Sequence, residues 1–129
     1  MEGKIIHLGS HEAYDLLKDG EAILLDIRSE AMQNFKQIDV PKFVLIPFTD
    51  LSEQAAALPD DRFFICADST GIQSKAAAQI LLSAGFKVAG NLAGGLVDWE
   101  RAGLPVRINI KERLSGSCMC QLRKRESKK

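Results

Sequence analysis

The stretch RFFICADSTGIQS, residues 62–74, decides the fold class: it predicts a buried strand, a small polar loop and the start of a helix. Cys66 follows the apolar run, and Ala67-Asp68-Ser69-Thr70-Gly71-Ile72-Gln73 form the loop before Ser74. We expect loop N–H groups and the helix dipole to converge on the Cys66 sulfur. Such surroundings lower the pKa of a thiol, and the thiolate is its reactive form. The alternative is that Cys66 is a buried residue that only fills the core.

Similar units occur on both sides of this stretch. Continuous apolar runs predict strands over residues 5–8, 22–25, 43–46, 63–65 and 87–89. Helices are predicted over 11–18, 30–35, 50–57 and 74–82, with a last one around Trp99. Short apolar strands that alternate with helices are typical of a parallel sheet covered on both faces. The sequence therefore predicts an α/β fold. Asp26 and Cys66 would lie at the carboxyl ends of strands, where such sheets bind ligands.

The composition is that of one globular domain in a 129-residue chain. Apolar residues make up 46% and charged residues 26% of it. No apolar run is long enough to span a bilayer, so we expect no membrane partner. The N-terminal residues lack the apolar stretch of a secretion signal, which predicts a cytoplasmic location.

The charge is unevenly distributed along the chain. Residues 107–129 hold eight basic and two acidic side chains, a net charge of +6. Residues 1–106 hold nine basic and fifteen acidic side chains, a net charge of −6. We therefore predict a domain over 1–106 and a basic, flexible tail over 107–129. The tail is either a solvated end or a weak contact for an anionic surface or an acidic partner, and we expect no nucleic-acid partner.

Several motifs follow one another in a known order. They are LLDIRS at 24–29, Cys66 with GIQS at 71–74, NLAGGLVDW at 91–99 and AGLPV at 102–106. Together they resemble the motifs of rhodanese-like domains, and the resemblance runs from about Ile5 to Val106. It implies a three-layer fold in which helices cover both faces of a five-stranded, mostly parallel sheet.

The resemblance also implies an activity, which is sulfur transfer through a cysteine persulfide. Cys66 would be the nucleophile, residues 67–73 would bind the anion, and neither a cofactor nor a metal is implied. The sulfur donor would be a small molecule such as thiosulfate or a protein persulfide, and a thiol would be the acceptor. Asp26, Arg28 and Ser74 would support the site. Asp26 is expected to tie loops together, the alternative being a catalytic acid or base. Arg28 is expected to form a surface ion pair, the alternative being that it faces the same cleft and supplies the missing positive charge.

The loop departs from the family pattern in length and charge. The usual sulfurtransferase loop has four residues between the cysteine and an arginine that is followed by serine. Here six residues separate Cys66 from Gln73, which aligns with that arginine, so we infer an insertion of two residues just after Cys66. Gln73 is uncharged, and a carboxylate at Asp68 would raise the pKa of a nearby thiol. We therefore predict poor turnover with thiosulfate, and the missing arginine argues against a phosphatase.

Two hypotheses about the function follow, one an enzyme and the other a binding protein. One is a sulfurtransferase, and the other is a rhodanese-fold binding or regulatory module with little or no catalysis. Cys118 and Cys120 lie outside the resemblance. They could accept sulfur from Cys66, form a labile disulfide in a thiol-redox protein, contribute two metal ligands or have no task.

Overall fold

The computed structural model describes residues 3–108, and its elements alternate between strands and helices. The strands are β1 (Lys4–Leu8), β2 (Ile23–Asp26), β3 (Lys36–Ile38), β4 (Phe43–Leu45), β5 (Phe64–Ala67), β6 (Val88–Leu92) and β7 (Val106–Ile108). The helices are α1 (Ser10–Leu17), α2 (Glu30–Phe35), α3 (Phe48–Gln54), α4 (Ile72–Ser83) and α5 (Gly95–Arg101), with a 3₁₀ turn at Ala55–Ala57. None of the helices in this part of the chain has the length and apolar character needed to cross a membrane.

Five of the strands form one sheet in the order β1-β6-β5-β2-β4, and all neighbouring pairs are parallel. β5 lies at the centre, with Cys66 opposite Leu25 of β2 on one side and Asn91 of β6 on the other. The predicted α/β class and the five-stranded sheet are confirmed.

Helices cover both faces of this sheet because the side chains of its strands alternate between two apolar cores. In β5, Ile65 and Ala67 join the first core, whereas Phe64 and Cys66 join the second. The helical side chains of the first core come from α1 and α5: Ala13, Leu17, Leu96 and Trp99. Those of the second core come from α3 and α4: Leu51, Ala77, Ala78 and Leu81. The structure therefore has the three layers that the resemblance implied.

The structure also contains a ribbon that the sequence did not predict. β3 pairs with β7 in antiparallel register, with Lys36 opposite Ile108 and Ile38 opposite Val106. These strands have three residues each and lack the continuous apolar run that marks the sheet strands. Arg107 and Ile108, which we assigned to the tail, thus belong to the fold.

Trp99 connects α5 to the segment that leads into β7. Its side chain is fully buried, and its Nε1 donates a hydrogen bond to the carbonyl of Pro105 at 2.8 Å. Its ring system makes a T-shaped contact with Tyr14 of α1, with ring centroids 5.7 Å apart. Trp99 therefore fixes two neighbouring elements to α5.

We expect Trp99→Ala to lower the free energy of unfolding by about 3–5 kcal/mol, because it opens a cavity and leaves the Pro105 carbonyl without its donor. Urea unfolding followed by far-ultraviolet circular dichroism measures this, since Trp99 is the only tryptophan. Val97→Ala in the same helix, where the side chain is 40% exposed, should change stability by less than about 1 kcal/mol. Equal losses in the two variants would contradict this role of Trp99.

Candidate functional site

Cys66 lies inside a central strand. β5 continues through Cys66 to Ala67, so the cysteine is not at the mouth of the loop. Its side chain is fully buried among the apolar residues of the second core, with Phe64, Ala77 and Leu81 in the same cluster. Ala67 is equally enclosed, in the first core.

Burial decides the protonation state of this thiol. Loss of hydration raises the pKa of Cys66 from 9.0 to about 12, because a thiolate among hydrocarbon side chains is strongly disfavoured. The expected lowering of this pKa is therefore wrong in direction. At neutral pH Cys66 carries its proton and is a poor nucleophile.

The loop amides bind a different side chain, that of Asp68. The Gly71 N–H donates to Asp68 Oδ1 at 2.6 Å, and the Gln73 N–H donates to Asp68 Oδ2 at 2.8 Å. Asp68 is 7% exposed, so its carboxylate lies at the bottom of the loop. We expected the amides to converge on the Cys66 sulfur, and this was wrong. The loop encloses an anion that belongs to the chain itself.

The spacing of the loop offers an account of this arrangement that needs no insertion, and the inferred insertion stays a prediction. Four residues separate the cysteine from the arginine in the usual sulfurtransferase loop. Counting back from Gln73, the four residues 69–72 lead to Asp68, which by this spacing corresponds to the cysteine of the usual loop. This correspondence of Asp68 appears when the loop is aligned on Gln73 and Ser74, but not when it is aligned on Cys66. Cys66 lies two residues earlier, within the strand.

Contacts with α5 hold the loop in place. The Leu96 N–H donates to the Asp68 carbonyl at 2.9 Å, and the Val97 N–H donates to the Ser69 carbonyl at 3.0 Å. Gly95 has φ +61°, and a Cβ on it would lie 2.5 Å from the Asp68 carbonyl oxygen. A Cβ on Gly71, at φ +93°, would lie 2.7 Å from the Gly94 nitrogen. Glycine at these positions lets the two segments pack in direct backbone contact.

Asp26 and Arg28 form a buried ion pair beside the loop. Arg28 Nη2 lies 2.8 Å from Asp26 Oδ2, and the two residues are 7% and 2% exposed. Asp26 Oδ1 also accepts from the Arg28 backbone N–H at 3.1 Å, so Asp26 fixes this turn as expected. The expected surface ion pair of Arg28 was wrong, since the pair is buried. Gln33, which the sequence did not suggest, donates from Nε2 to the carbonyls of Asp26 and Arg28 at 3.1 and 2.9 Å.

Ser74 anchors the first turn of α4 to the sheet. Its buried hydroxyl donates to Asn91 Oδ1, and Asn91 Nδ2 lies 2.9 Å from His7 Nδ1. The hydroxyl thus links the first turn of α4 to β6 and β1. It has an acceptor within the domain, and it does not line the pocket at the loop.

A pocket of about 360 Å³ opens over the loop. Its lining combines the loop with the turn after β2: Arg28, Ser29, Met32, Asp68, Ser69, Thr70, Ile72 and Gln73. Ile72 and Met32 are 77% and 47% exposed, which gives the pocket an apolar rim. The structure thus brings most of the predicted loop together with Arg28 and leaves Cys66, Ala67 and Ser74 outside.

The remaining predicted residues, Cys118 and Cys120, lie outside the described residues. Within residues 3–108 no group of three or more histidine, cysteine or acidic side chains is arranged to hold a metal ion.

We expect the Cys66 thiol to resist alkylation in the folded protein. On a Cys118→Ser/Cys120→Ser background, iodoacetamide at pH 8 should modify Cys66 at least about two orders of magnitude more slowly than in the urea-unfolded chain, because the thiol is buried and protonated. A Thr70→Cys variant on that background supplies an exposed thiol in the same loop as control. Equal rates at the two sites would contradict the buried, protonated thiol.

We expect Asp68→Ala to destabilise the loop, because the amides of Gly71 and Gln73 lose their acceptor. The free energy of unfolding should fall by about 2 kcal/mol, and less in Asp68→Asn, which keeps one side-chain oxygen. Hydrogen exchange of these two amides should accelerate in Asp68→Ala. The exposed Asp60→Ala serves as control. Unchanged exchange would show that the carboxylate does not hold the loop.

Comparison with known proteins agrees with this architecture. The family model for the rhodanese-like domain matches residues 10–102. The solution structure of a rhodanese-like domain from Anabaena is 26% identical, with a TM-score of 0.73 over 86% of this chain and 85% of that one. A crystal structure from Lactobacillus plantarum is 28% identical, with a TM-score of 0.67 over 80% of this chain and 88% of that one.

Relatives in sequence include proteins named for sulfur transfer. A sulfurtransferase of Allochromatium vinosum is 32% identical over 91 residues, which are 70% of this chain and 83% of the relative. A probable adenylyltransferase/sulfurtransferase of Mycobacterium tuberculosis is 30% identical over 95 residues, 73% of this chain but 24% of the relative. This chain thus spans about a quarter of that longer relative. The family match, the sheet and the loop lead to one conclusion: the chain belongs to the rhodanese-like domain family.

Proposed function

We propose that this rhodanese-like domain is a binding module whose loop does not form a persulfide. One observation carries the proposal: the amides of Gly71 and Gln73 bind the Asp68 carboxylate. The Asp68 carboxylate therefore occupies the amide donors that would otherwise stabilise a reactive thiolate.

The chemistry of the two candidate side chains supports this view. Persulfide formation requires a thiolate that can reach the donor, and Cys66 is fully buried with its pKa raised to about 12. Asp68 lines the pocket, but a carboxylate cannot carry a sulfane sulfur. Its negative charge also opposes the binding of anions such as thiosulfate.

The pocket has the features of a surface for a protein segment. Its floor carries the Asp68 carboxylate, and its rim exposes Ile72 and Met32. Arg28 also lines the pocket, but its guanidinium is paired with Asp26. A segment that brings a basic side chain next to an apolar one would complement this pattern, because apolar anchors beside satisfied charges are typical of interfaces.

Sulfur transfer through Cys66 is the second candidate, and the relatives named as sulfurtransferases favour it. It requires a rearrangement that carries the Cys66 sulfur out of the second core. A protein persulfide would then be the donor, a thiol the acceptor, and Cys118 or Cys120 a relay. The cytoplasmic location remains a prediction under both candidates.

A sulfur-transfer assay tests the proposal. The Cys118→Ser/Cys120→Ser chain is treated with thiosulfate or polysulfide, and peptide mass spectrometry measures sulfur on Cys66. We expect none, whereas Asp68→Cys on the same background should gain a persulfide at position 68. In that variant a thiolate attacks the outer sulfur of thiosulfate, the S–S bond breaks and sulfite leaves. Cyanide then removes the outer sulfur as thiocyanate and restores the thiolate.

Thr70→Cys is the matched control, because its thiol lies in the same loop without the two amides that face position 68. It should gain less sulfur than Asp68→Cys. Sulfur on Cys66 that appears at a catalytic rate and disappears in Cys66→Ser would overturn the proposal and establish the second candidate.

A further inference from the structure

We propose that the pocket over the Asp68 loop binds the segment that follows β7 in this same chain, residues 109–129. A basic side chain of the segment would face Asp68, and its apolar neighbours would pack on Ile72 and Met32. This inference rests on the proposed binding function, and it names the occupant of the pocket.

The chain leaves β7 close to the pocket. Ile108, the last residue of β7, lies opposite Lys36 in the antiparallel ribbon. The Lys36 carbonyl accepts a hydrogen bond of 2.5 Å from Arg28 Nη2, and Arg28 lines the pocket. Lys36 also follows directly after α2, a helix of six residues and therefore about 9 Å long, whose Met32 lies on the pocket rim. The side chain of Arg28 thus connects the pocket wall to Lys36, which lies opposite the last residue of β7.

The segment is long enough and has suitable chemistry. Its first five residues, 109–113, span up to about 17 Å when extended, which exceeds the length of α2. Residues 109–129 contain seven lysine or arginine side chains and two glutamates, a net charge of +5. Arg113 lies between the apolar residues Ile110 and Leu114 in the part nearest to the exit. This is the combination that the pocket complements.

The charges around the pocket favour a basic occupant. Asp68 has main-chain amides as partners, and within residues 3–108 no basic side chain pairs with it. Two basic groups near the exit are already paired, Arg28 with Asp26 and Lys36 with Glu100 at 2.8 Å each. Asp68 therefore presents a carboxylate that a new cation can approach without displacing another.

Another acidic region of the domain is less suited. The pocket of about 510 Å³ lined by Asp60 and Asp61 also contains Arg62 and Lys87, whose charges offset the carboxylates. The covalent link to β7 also favours the Asp68 pocket, because a short linker gives the attached segment a millimolar-range effective concentration. Weak contacts at the Asp68 pocket are therefore sufficient for occupancy.

Paramagnetic relaxation in the full chain tests this inference. On the Cys118→Ser/Cys120→Ser background, Ser115→Cys carries a nitroxide two residues beyond Arg113, and the buried Cys66 stays unlabelled. We expect the amide signals of Ser29, Met32 and residues 69–73 to lose most of their intensity. Ile72→Ser or Arg113→Gln should restore these signals. Leu45→Ser and Arg123→Gln, which change an exposed apolar residue elsewhere and a distant arginine of the segment, should leave the loss intact.

Three results would overturn the inference. One is intensity loss centred on residues 60–62 and 87, and another is the absence of localised loss. The third is equal loss when nitroxide-labelled chains are mixed with separate ¹⁵N-labelled chains, which would indicate a second copy as the occupant. The sulfur-transfer assay reads a different property, so a persulfide on Cys66 would reject the proposed function while the relaxation data still decide the docking.

Discussion

The carboxylate of Asp68 accepts hydrogen bonds from two amides of its own loop, and the properties of the site depend on this pair of contacts. In a loop that binds a ligand anion, such amides supply binding free energy. Here the same amides stabilise the folded loop, because their acceptor is part of the chain. The loop is therefore complete without a ligand, and the pocket above it presents a negative charge.

The position of Cys66 illustrates how a shift of two residues changes the chemistry of a side chain. Cys66 and Asp68 are two residues apart, but only Cys66 lies within β5. Side chains of α4 cover the face of the sheet to which Cys66 belongs, and the thiol is buried in the second core. Asp68 lies beyond the end of β5, where its side chain lines the pocket over the loop. The side chain at one position is enclosed in the core, and the side chain at the other lines the pocket.

The surroundings of the loop are fixed from two directions. Backbone contacts with α5 leave no room for a Cβ at Gly71 or Gly95. On the other side, the Asp26–Arg28 pair connects the turn after β2 to the Lys36 carbonyl and hence to the β3–β7 ribbon. The pocket wall and the point where the chain leaves the described fold thus belong to one hydrogen-bonded unit. This connection is the structural basis for the proposal that residues 109–129 bind in the pocket.

The sequence by itself determined the strands of the main sheet, the five helices and the family, because these depend on local features such as apolar runs, helix formers and motif order. It also contained the spacing from Asp68 to Gln73, which equals the spacing from cysteine to arginine in the usual sulfurtransferase loop. Only the tertiary structure decided that β5 extends through Cys66, that Arg28 is buried against Asp26 and that β3 pairs with β7. Segments distant in sequence decide where a strand ends, which side chains are buried and which strand a short strand pairs with. A local sequence pattern carries no information about those distant segments.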